Sequence, residues 1–237
     1  MSITQAGLMA RWDDGLPVGP QLLKALRAAI IQSELKPGIR LSEQDVAQRF
    51  GLSRQPVREA FIRLADEGLL EIRPQRGTFV RRISQDAVMD GRFMREAIEA
   101  DLVKVVAHQS DRALVADLRR LVMQQSATAE GDAVAFMPLD ESFHRLIAEA
   151  AGRSRTWNVL QQIKAQMDRV RFLTTAEFPK GRLIAQHTAI VSAIEAGDVS
   201  AAEDAMRSHL RKVLVDLPAI MAAHPEYFEP PTRDTPR

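Results

Sequence analysis

Four side chains that can bind a metal ion lie on apolar helix faces in the second half of the chain. Asp140 precedes His144 by four positions, and Ile147 follows His144 by three, so one helix face carries all three. His187 and His209 likewise recur with apolar residues at helical spacing. The pattern predicts one Asp and three His side chains that point inward from three helices.

Buried groups of this kind need partners. An unpaired buried carboxylate is costly, and a neutral imidazole nitrogen requires a donor or a metal ion. If the four side chains converge, they can form a divalent-metal site with open coordination positions. The alternative, which spacing leaves open, is that the His residues are hydrogen-bonded members of the core.

Arg95 is a candidate for binding an anionic ligand. It shares a helix face with Ile98 and Leu102, so we expect it to point toward the core. A buried guanidinium requires an anion, and a bidentate effector carboxylate is suitable. Glu99, one turn later, is the alternative partner.

The elements that would position these residues are helices. After about Ser84, apolar residues recur at three and four positions, and breaks near five points divide the region into about six helices. We predict an all-helical bundle over 86–222. The ends, residues 1–15 and 225–237, are predicted to be a disordered segment and a flexible tail.

The first part of the chain predicts a winged helix-turn-helix over 16–82. Ser42 can cap a short helix, Gly51 suits a left-handed turn, and Ser53 can cap the next helix. β-type patterning over 70–80 has a basic tip that contains Gly77, which is typical of a short β wing. The fold class is thus mainly α.

The second helix of this motif and the wing carry the candidate DNA contacts. Arg54 and Arg58 share a face near the helix start, where a recognition helix enters the major groove. Arg is suited to guanine, and Gln55 to adenine or a phosphate. Arg76 and Gly77 at the wing tip are predicted to lie against the backbone or minor groove.

Composition agrees with a DNA-binding first part. Residues 1–82 carry 13 Lys and Arg against 9 Asp and Glu, whereas 83–237 carry 19 against 22. The absence of Cys fits a reducing cytoplasm and excludes disulfides and thiolate metal sites. No stretch approaches about 18 uninterrupted apolar residues, so we expect no membrane partner.

Nearly all of residues 20–82 resembles the GntR family of regulators. The resemblance rests on four motifs: Pro37-Gly38-x-Arg40-Leu41-Ser42-Glu43, Ser53-Arg54-Gln55-Pro56-Val57-Arg58-Glu59-Ala60, Glu67-Gly68-Leu69 and Arg76-Gly77-Thr78-Phe79-Val80. It implies a DNA-binding transcription regulator that contacts DNA through Arg54, Gln55, Arg58 and Gly77. Some members have an Arg where this chain has Gln44.

The helical part resembles the ligand-binding domain of the FadR subfamily, called FCD. The matching motifs are Arg95-x-x-Ile98-Glu99, Asp140-Glu141-Ser142-Phe143-His144, His187-Thr188-Ala189-Ile190, the Gly197-Asp198 turn and Ser208-His209-Leu210. The resemblance implies a divalent metal, Zn or Ni, bound by Asp140, His144, His187 and His209. It also implies a small carboxylate effector.

Together these expectations describe a cytoplasmic, homodimeric repressor rather than an enzyme. It would bind a pseudopalindromic double-stranded operator, and the effector would change its affinity. Three alternatives stay open at this point: a metal-independent regulator that senses an acyl or apolar ligand, a regulator for which the metal is the signal, and a metal hydrolase.

Overall fold

The computed structural model describes residue 13 and residues 15–128 and 130–230. The chain divides into two compact units, of which the second comprises Asp86–Ala223 and the first comprises the residues on either side of it. Most of the segment predicted to be disordered, 1–15, lies outside the described residues. Among the described residues, no helix is long and apolar enough to cross a membrane.

Three helices form the body of the first unit: α1 (Val18–Ile31), α2 (Glu43–Phe50) and α3 (Arg54–Asp66). Helix α3 buries Val57, Phe61 and Leu64, each at most 1% exposed, and α1 buries Leu22 and Leu26 completely. Because these residues recur at three and four positions, each helix presents one apolar stripe to the core and leaves its polar face in solvent.

The turn between α2 and α3 is determined by local chemistry. The Ser42 hydroxyl accepts a hydrogen bond from the backbone N–H of Asp45, as predicted. Gly51 ends α2 in the left-handed conformation, at φ 65°. Ser53 occupies the N-cap position of α3 but its side chain makes no capping hydrogen bond, so that part of the prediction is wrong.

The wing is a three-stranded antiparallel sheet of order β1-β3-β2, formed by β1 (Arg40–Leu41), β2 (Leu70–Arg73) and β3 (Gly77–Val80). Arg40 pairs with Phe79, and Glu71 pairs with the same Phe79 from the other side. Since side chains alternate along a strand, one sheet face carries the buried Leu41, Thr78 and Val80, and the other carries Arg40, Phe79 and Glu71. The sequence pattern predicted β2 and β3 but not the two-residue β1.

The segment 225–237 is not a flexible tail as far as it is described. Pro225–Tyr227 forms a 3-10 helix, and Tyr227 and Phe228 are buried. The backbone N–H of Ile83 donates to Tyr227, and that of Glu229 donates to Ile83, at 2.7 and 2.9 Å. These bonds place the segment beside the end of the wing region in the first unit. The prediction failed because a short strand pairing leaves little periodic signal among prolines and polar residues.

The second unit is all helical in its described residues. Its helices are α4 (Gln85–Gln109), α5 (Arg112–Ala127), α6 (Ala133–Ala150), α7 (Ser154–Ile163), α8 (Ala165–Glu177), α9 (Gly181–Ala196), α10 (Val199–Leu210) and α11 (Lys212–Ala223). The two helix ends that the sequence did not predict lie at Lys164 and Arg211. Neither residue is Gly or Pro, and the apolar stripe continues across both, so the pattern predicted single helices there.

The core of the second unit surrounds the predicted metal ligands. Phe143, Ile147, Ile190, Ile194 and Met206 are at most 1% exposed and belong to one apolar cluster. Because these residues precede or follow the Asp and His positions at helical spacing, burial of the stripe also buries the polar side chains. The fold therefore places four ionisable or titratable groups in an apolar interior.

Candidate metal centre and DNA-contacting surface

Three helices bring the four predicted metal ligands together. Asp140 and His144 lie on α6, His187 on α9 and His209 on α10, and each is at most 5% exposed. One ligand atom from each residue lies within 4.8 Å of the others. The convergence that spacing alone left open is thus present in the structure.

The His rings direct the same nitrogen inward. Nε2 of His209 is 3.1 Å from Nε2 of His144 and 3.4 Å from Nε2 of His187. Oδ1 of Asp140 is 3.6 Å from Nε2 of His187. Four potential ligand atoms therefore face a common centre.

Residues outside this centre orient two of the rings. Nδ1 of His187 is 2.7 Å from Oε1 of the fully buried Gln125, and Nδ1 of His144 is 2.6 Å from Oε2 of Glu99. Because Oε1 of Gln125 is an acceptor, it favours the tautomer of His187 that carries its proton on Nδ1 and a lone pair on Nε2. This is the arrangement by which proteins hold metal-binding His side chains.

Asp140 has one satisfied and one unsatisfied oxygen. Oδ2 accepts a hydrogen bond from Nη2 of Arg171 on α8. Oδ1 is buried and has no hydrogen-bond partner among the described residues. A buried carboxylate oxygen without a partner costs free energy unless a cation or donor occupies the space in front of it.

The protonation states suit a cation. Burial lowers the pKa of His187 to about 3, against the opposing charge of Asp140, and burial also holds the pKa of His209 well below its ordinary value. Burial alone would raise the pKa of Asp140, but the charges of Arg171 and the His residues hold it well below its usual range. At neutral pH the site thus presents a carboxylate and at least two neutral imidazoles, which are the forms that bind metal ions.

The residues present fit a divalent first-row ion. Imidazole nitrogens bind such ions at about 2.0–2.1 Å, so two neighbouring ligands on one ion are about 3.0–3.4 Å apart. The two Nε2 separations at His209 lie in this range. The donor set of three nitrogens and one oxygen suits Zn or Ni among several ions and leaves positions for a further ligand.

Arg95 adopts the intrahelical pairing and also borders a pocket. Its Nε donates to Glu99 at 2.5 Å, and both residues are almost completely buried. Arg95, Arg171 and His209 line a pocket that adjoins the candidate metal centre. The two readings of Arg95 are therefore compatible: it is paired with Glu99 and still faces the space where an anion could lie.

The pocket is lined by both basic and apolar side chains. Besides the two Arg residues, its lining includes Lys180 and Lys212, and the amine of Lys212 bonds to Asp216. Asp216 itself lines the pocket, together with Met167, Thr174, Thr175, Phe178, Pro179, Leu183, Leu210 and Val213. Such a lining suits a small anion with an apolar part.

Glu141 does not serve the centre as a free base. Its Oε2 accepts a hydrogen bond from Nζ of Lys164 at 2.8 Å, and the same amine bonds to Asp168 at 2.5 Å. Glu141 follows Asp140 directly, so the two side chains diverge by about 100° around α6. The geometry thus does not place Glu141 as the general base that the hydrolase alternative requires.

In the first unit, four of the five predicted DNA contacts are exposed, and Gly77 is half-buried. Arg54, Gln55 and Arg58 are exposed near the start of α3, and Arg76 is exposed in the turn before Gly77. Arg54 pairs loosely with Glu43, at 3.3 Å, and Gln55 donates to Glu59. Arg58 and Arg76 have no carboxylate partner among the described residues, so their charges are available to a polyanion.

The comparisons with known proteins agree with this arrangement. Residues 20–80 match the family model of bacterial regulatory proteins of the gntR family, and residues 92–212 match the FCD domain. The chain belongs to the GntR family. The HTH-type transcriptional repressor RspR of Escherichia coli is 37% identical over 90% of this chain and 94% of its own length. An HTH-type transcriptional regulator of Streptomyces ambofaciens, from an unstable DNA locus, is 38% identical over 86% of each chain.

The fold is that of solved GntR-family structures. E. coli McbR/YncC superposes with a TM-score of 0.74 over 86% of this chain and 98% of the other, at 19% identity. This GntR regulator therefore combines a DNA-binding winged helix-turn-helix with an FCD domain, and it is a transcription regulator rather than an enzyme. The expected fold class and family are confirmed.

Three residues at the centre were missed at the sequence level. Gln125 continues the apolar stripe of Leu118 and Val122 on α5, and an amide on such a stripe was the available signal. Glu99 was considered only as a partner of Arg95, although it also contacts His144. Arg171 gave no signal, because α8 is buried on most sides and has no clear polar face.

Proposed function

We propose that this GntR regulator is a homodimeric repressor whose operator affinity is controlled by a small carboxylate bound at a metal site in the FCD domain. The supporting observation is the buried centre itself. Three His side chains and Asp140 face one another, and the free oxygen of Asp140 has no partner among the described residues. Such an arrangement is costly without a cation.

The proposed metal ligands are Asp140, His144, His187 and His209. A bound ion would supply positive charge that can hold a carboxylate oxygen of the effector. Arg95 and Arg171 border the adjoining pocket and would pair with the remaining carboxylate oxygen. The apolar walls would contact the rest of the ligand and exclude larger polar molecules.

In the proposed DNA complex, Arg54 and Arg58 contact base edges in the major groove, and Gln55 contacts an adenine or a phosphate. Arg76 and Gly77 contact the backbone or the minor groove. Two copies would address half-sites about one helical turn apart on a pseudopalindromic operator in the cytoplasm. The effector would act by binding one arrangement of the dimer more tightly than another, because equal binding to both cannot shift the equilibrium.

Metal content is the first test. Elemental analysis of the purified protein, before and after incubation with Zn or Ni, should give about one ion per chain for wild type. His187→Ala should bind none, whereas the exposed His108→Ala should behave as wild type. A wild-type protein that binds no ion after incubation would refute the metal site.

Effector control needs a second measurement. We expect small carboxylates to change the affinity of metal-loaded protein for a DNA duplex that the wild-type protein selects from a random library, and to leave His187→Ala unaffected. A response to metal alone would instead make the ion the signal. A full response of metal-free protein to a fatty acid would support the metal-independent alternative, to which the apolar pocket walls lend some weight.

A further inference from the structure

The exposed face of the wing sheet carries a basic residue outside the predicted DNA contacts. Arg40 on β1 lies opposite Phe79 on β3, on the solvent side of the sheet. Two other Arg residues of this surface are paired with carboxylates: Arg73 with Glu71 at 2.8 Å, and Arg81 with Glu229 at 3.0 Å. Arg40 has no carboxylate partner in the part of the chain that the structure describes.

The guanidinium of Arg40 is held against the wing glycine. A Cβ atom built on Gly77 would lie 2.7 Å from Nε of Arg40, 3.3 Å from Nη2 and 3.4 Å from Cζ. Three atoms of the planar group therefore cover the face of Gly77 that a side chain would otherwise occupy. Gly77 also has φ +110°, so glycine is required there both by the backbone and by the contact with Arg40.

This packing preorganises a positive charge. A free Arg side chain loses rotamer entropy when it binds an anion, and contact with the glycine restricts that freedom in advance. Since the outer face of the sheet is exposed, the N–H groups that do not face Gly77 remain available to an acceptor. A planar guanidinium matches two oxygens of a phosphate group.

We infer that Arg40 is a further DNA-binding residue, which pairs with a backbone phosphate beside the wing and acts together with Gly77. The inference rests on the DNA-contacting surface proposed above. It differs from the roles of Arg54 and Arg58, because a phosphate contact adds affinity without reading sequence. Gly77 then has two roles: it contacts DNA itself, and it leaves the space in which the guanidinium of Arg40 packs.

Salt dependence tests this role directly. The full-length protein is titrated against two 30-base-pair duplexes at several KCl concentrations: one with the sequence selected from a random library, and one scrambled. Each lost phosphate contact lowers the slope of log K against log salt by about 0.9, so Arg40→Ala should lose about 1.8 in a symmetric dimer. Both duplexes should weaken by the same factor, about 10-fold or more at 100 mM KCl.

Two further variants serve as controls. One separates the effect of the charge of Arg40 from that of its packing on Gly77, and the other tests whether the loss of any exposed positive charge has the same effect. Arg40→Met keeps a long side chain over Gly77 without the charge and should lose the same slope as Arg40→Ala. Arg63→Ala removes one exposed charge from α3, nine positions and about 180° around the helix from Arg54, and should leave the slope unchanged. Thermal unfolding confirms that each variant is folded.

The outcomes distinguish the inference from the function on which it rests. If Arg40→Ala has the same slope of log K against log salt as wild type, the phosphate contact is refuted. It is also refuted if Arg40→Ala loses slope but Arg40→Met does not, because the charge would then have no effect. A loss confined to the selected duplex would overturn it too, because it would indicate a base contact. If the Arg40 variants and Arg58→Ala all bind like wild type, the proposed DNA-contacting surface is wrong. If Arg58→Ala binds more weakly and the Arg40 variants do not, only the role of Arg40 is refuted.

Discussion

Replacement of Gln125 by Leu should weaken metal binding although Gln125 is not a metal ligand. Gln125 is fully buried, and its Oε1 lies 2.7 Å from Nδ1 of His187. In the metal-free state, a His187 ring that has lost this acceptor can move its proton to Nε2. Metal binding forces the proton back to Nδ1, where Leu offers no acceptor.

In Gln125→Leu, the unsatisfied N–H of His187 therefore raises the free energy of the metal-bound state only. A buried donor without an acceptor costs about 1–3 kcal/mol. Because each 1.4 kcal/mol is tenfold in an equilibrium constant, Gln125→Leu should weaken metal affinity about 10- to 100-fold. The change retains most of the side-chain volume, so the core should stay packed.

Competition against a chromophoric zinc chelator measures this affinity, and circular dichroism of the metal-free protein checks the fold. The matched control is Gln124→Leu, which makes the same change at an exposed neighbouring position of α5. An affinity for Gln125→Leu within twofold of wild type, in a folded protein, would refute the role assigned to Gln125 in orienting His187.

Three further predictions concern DNA, pH and the wing. Arg58→Ala should cost about 1–3 kcal/mol of binding to the selected duplex and much less to a scrambled one, measured at fixed salt with Arg63→Ala as control; equal losses on both duplexes would refute base recognition. Metal-free protein should lose stability as pH falls below about 6.5. The folded pKa of His187 is about 3, so its unfolded form binds the extra proton, which removes about 3 kcal/mol by pH 4.5; His209 adds to the loss in the same direction. Denaturant unfolding at both pH values measures this, and equal stability would show that the imidazoles are already charged when folded. Gly77→Ala should weaken binding to both duplexes and lower the melting temperature, because φ +110° disfavours any side chain, whereas a variant with wild-type binding would show that the wing is not used.

Much of the centre could be predicted because its ligands repeat the period of the helix core. Asp140 and His144 share the face of Ile147, so the sequence indicated their direction. It could not indicate that α6, α9 and α10 bring those faces to one point, since convergence depends on how the helices cross. Periodicity predicted all four inward-pointing side chains, and the family resemblance implied that they bind one metal ion.

The partners of the centre were less predictable, for physical reasons. Arg171 bonds to Asp140 from α8, a helix whose separation from α7 at Lys164 the sequence pattern did not predict. A helix that is buried on most sides shows no polar stripe, so the direction of a single Arg cannot be inferred from spacing. The short strand β1 was missed for a similar reason, because two residues establish no alternation.

The pairing of Ile83 with Phe228 also means that the first unit cannot finish folding until the end of the chain has been synthesised. The N-terminal unit is translated first, but Arg81 and its partner Glu229 are 148 positions apart, and the whole FCD domain is made between them. A nascent chain, or a fragment cleaved within the FCD domain, lacks the segment that pairs with Ile83. We expect residues 1–85 alone to unfold at a lower temperature than the same unit in the full chain, and equal melting temperatures would refute this. Truncated chains, which lack a complete FCD domain for the effector, would then also have a less stable DNA-binding unit and compete poorly with intact protein for the operator.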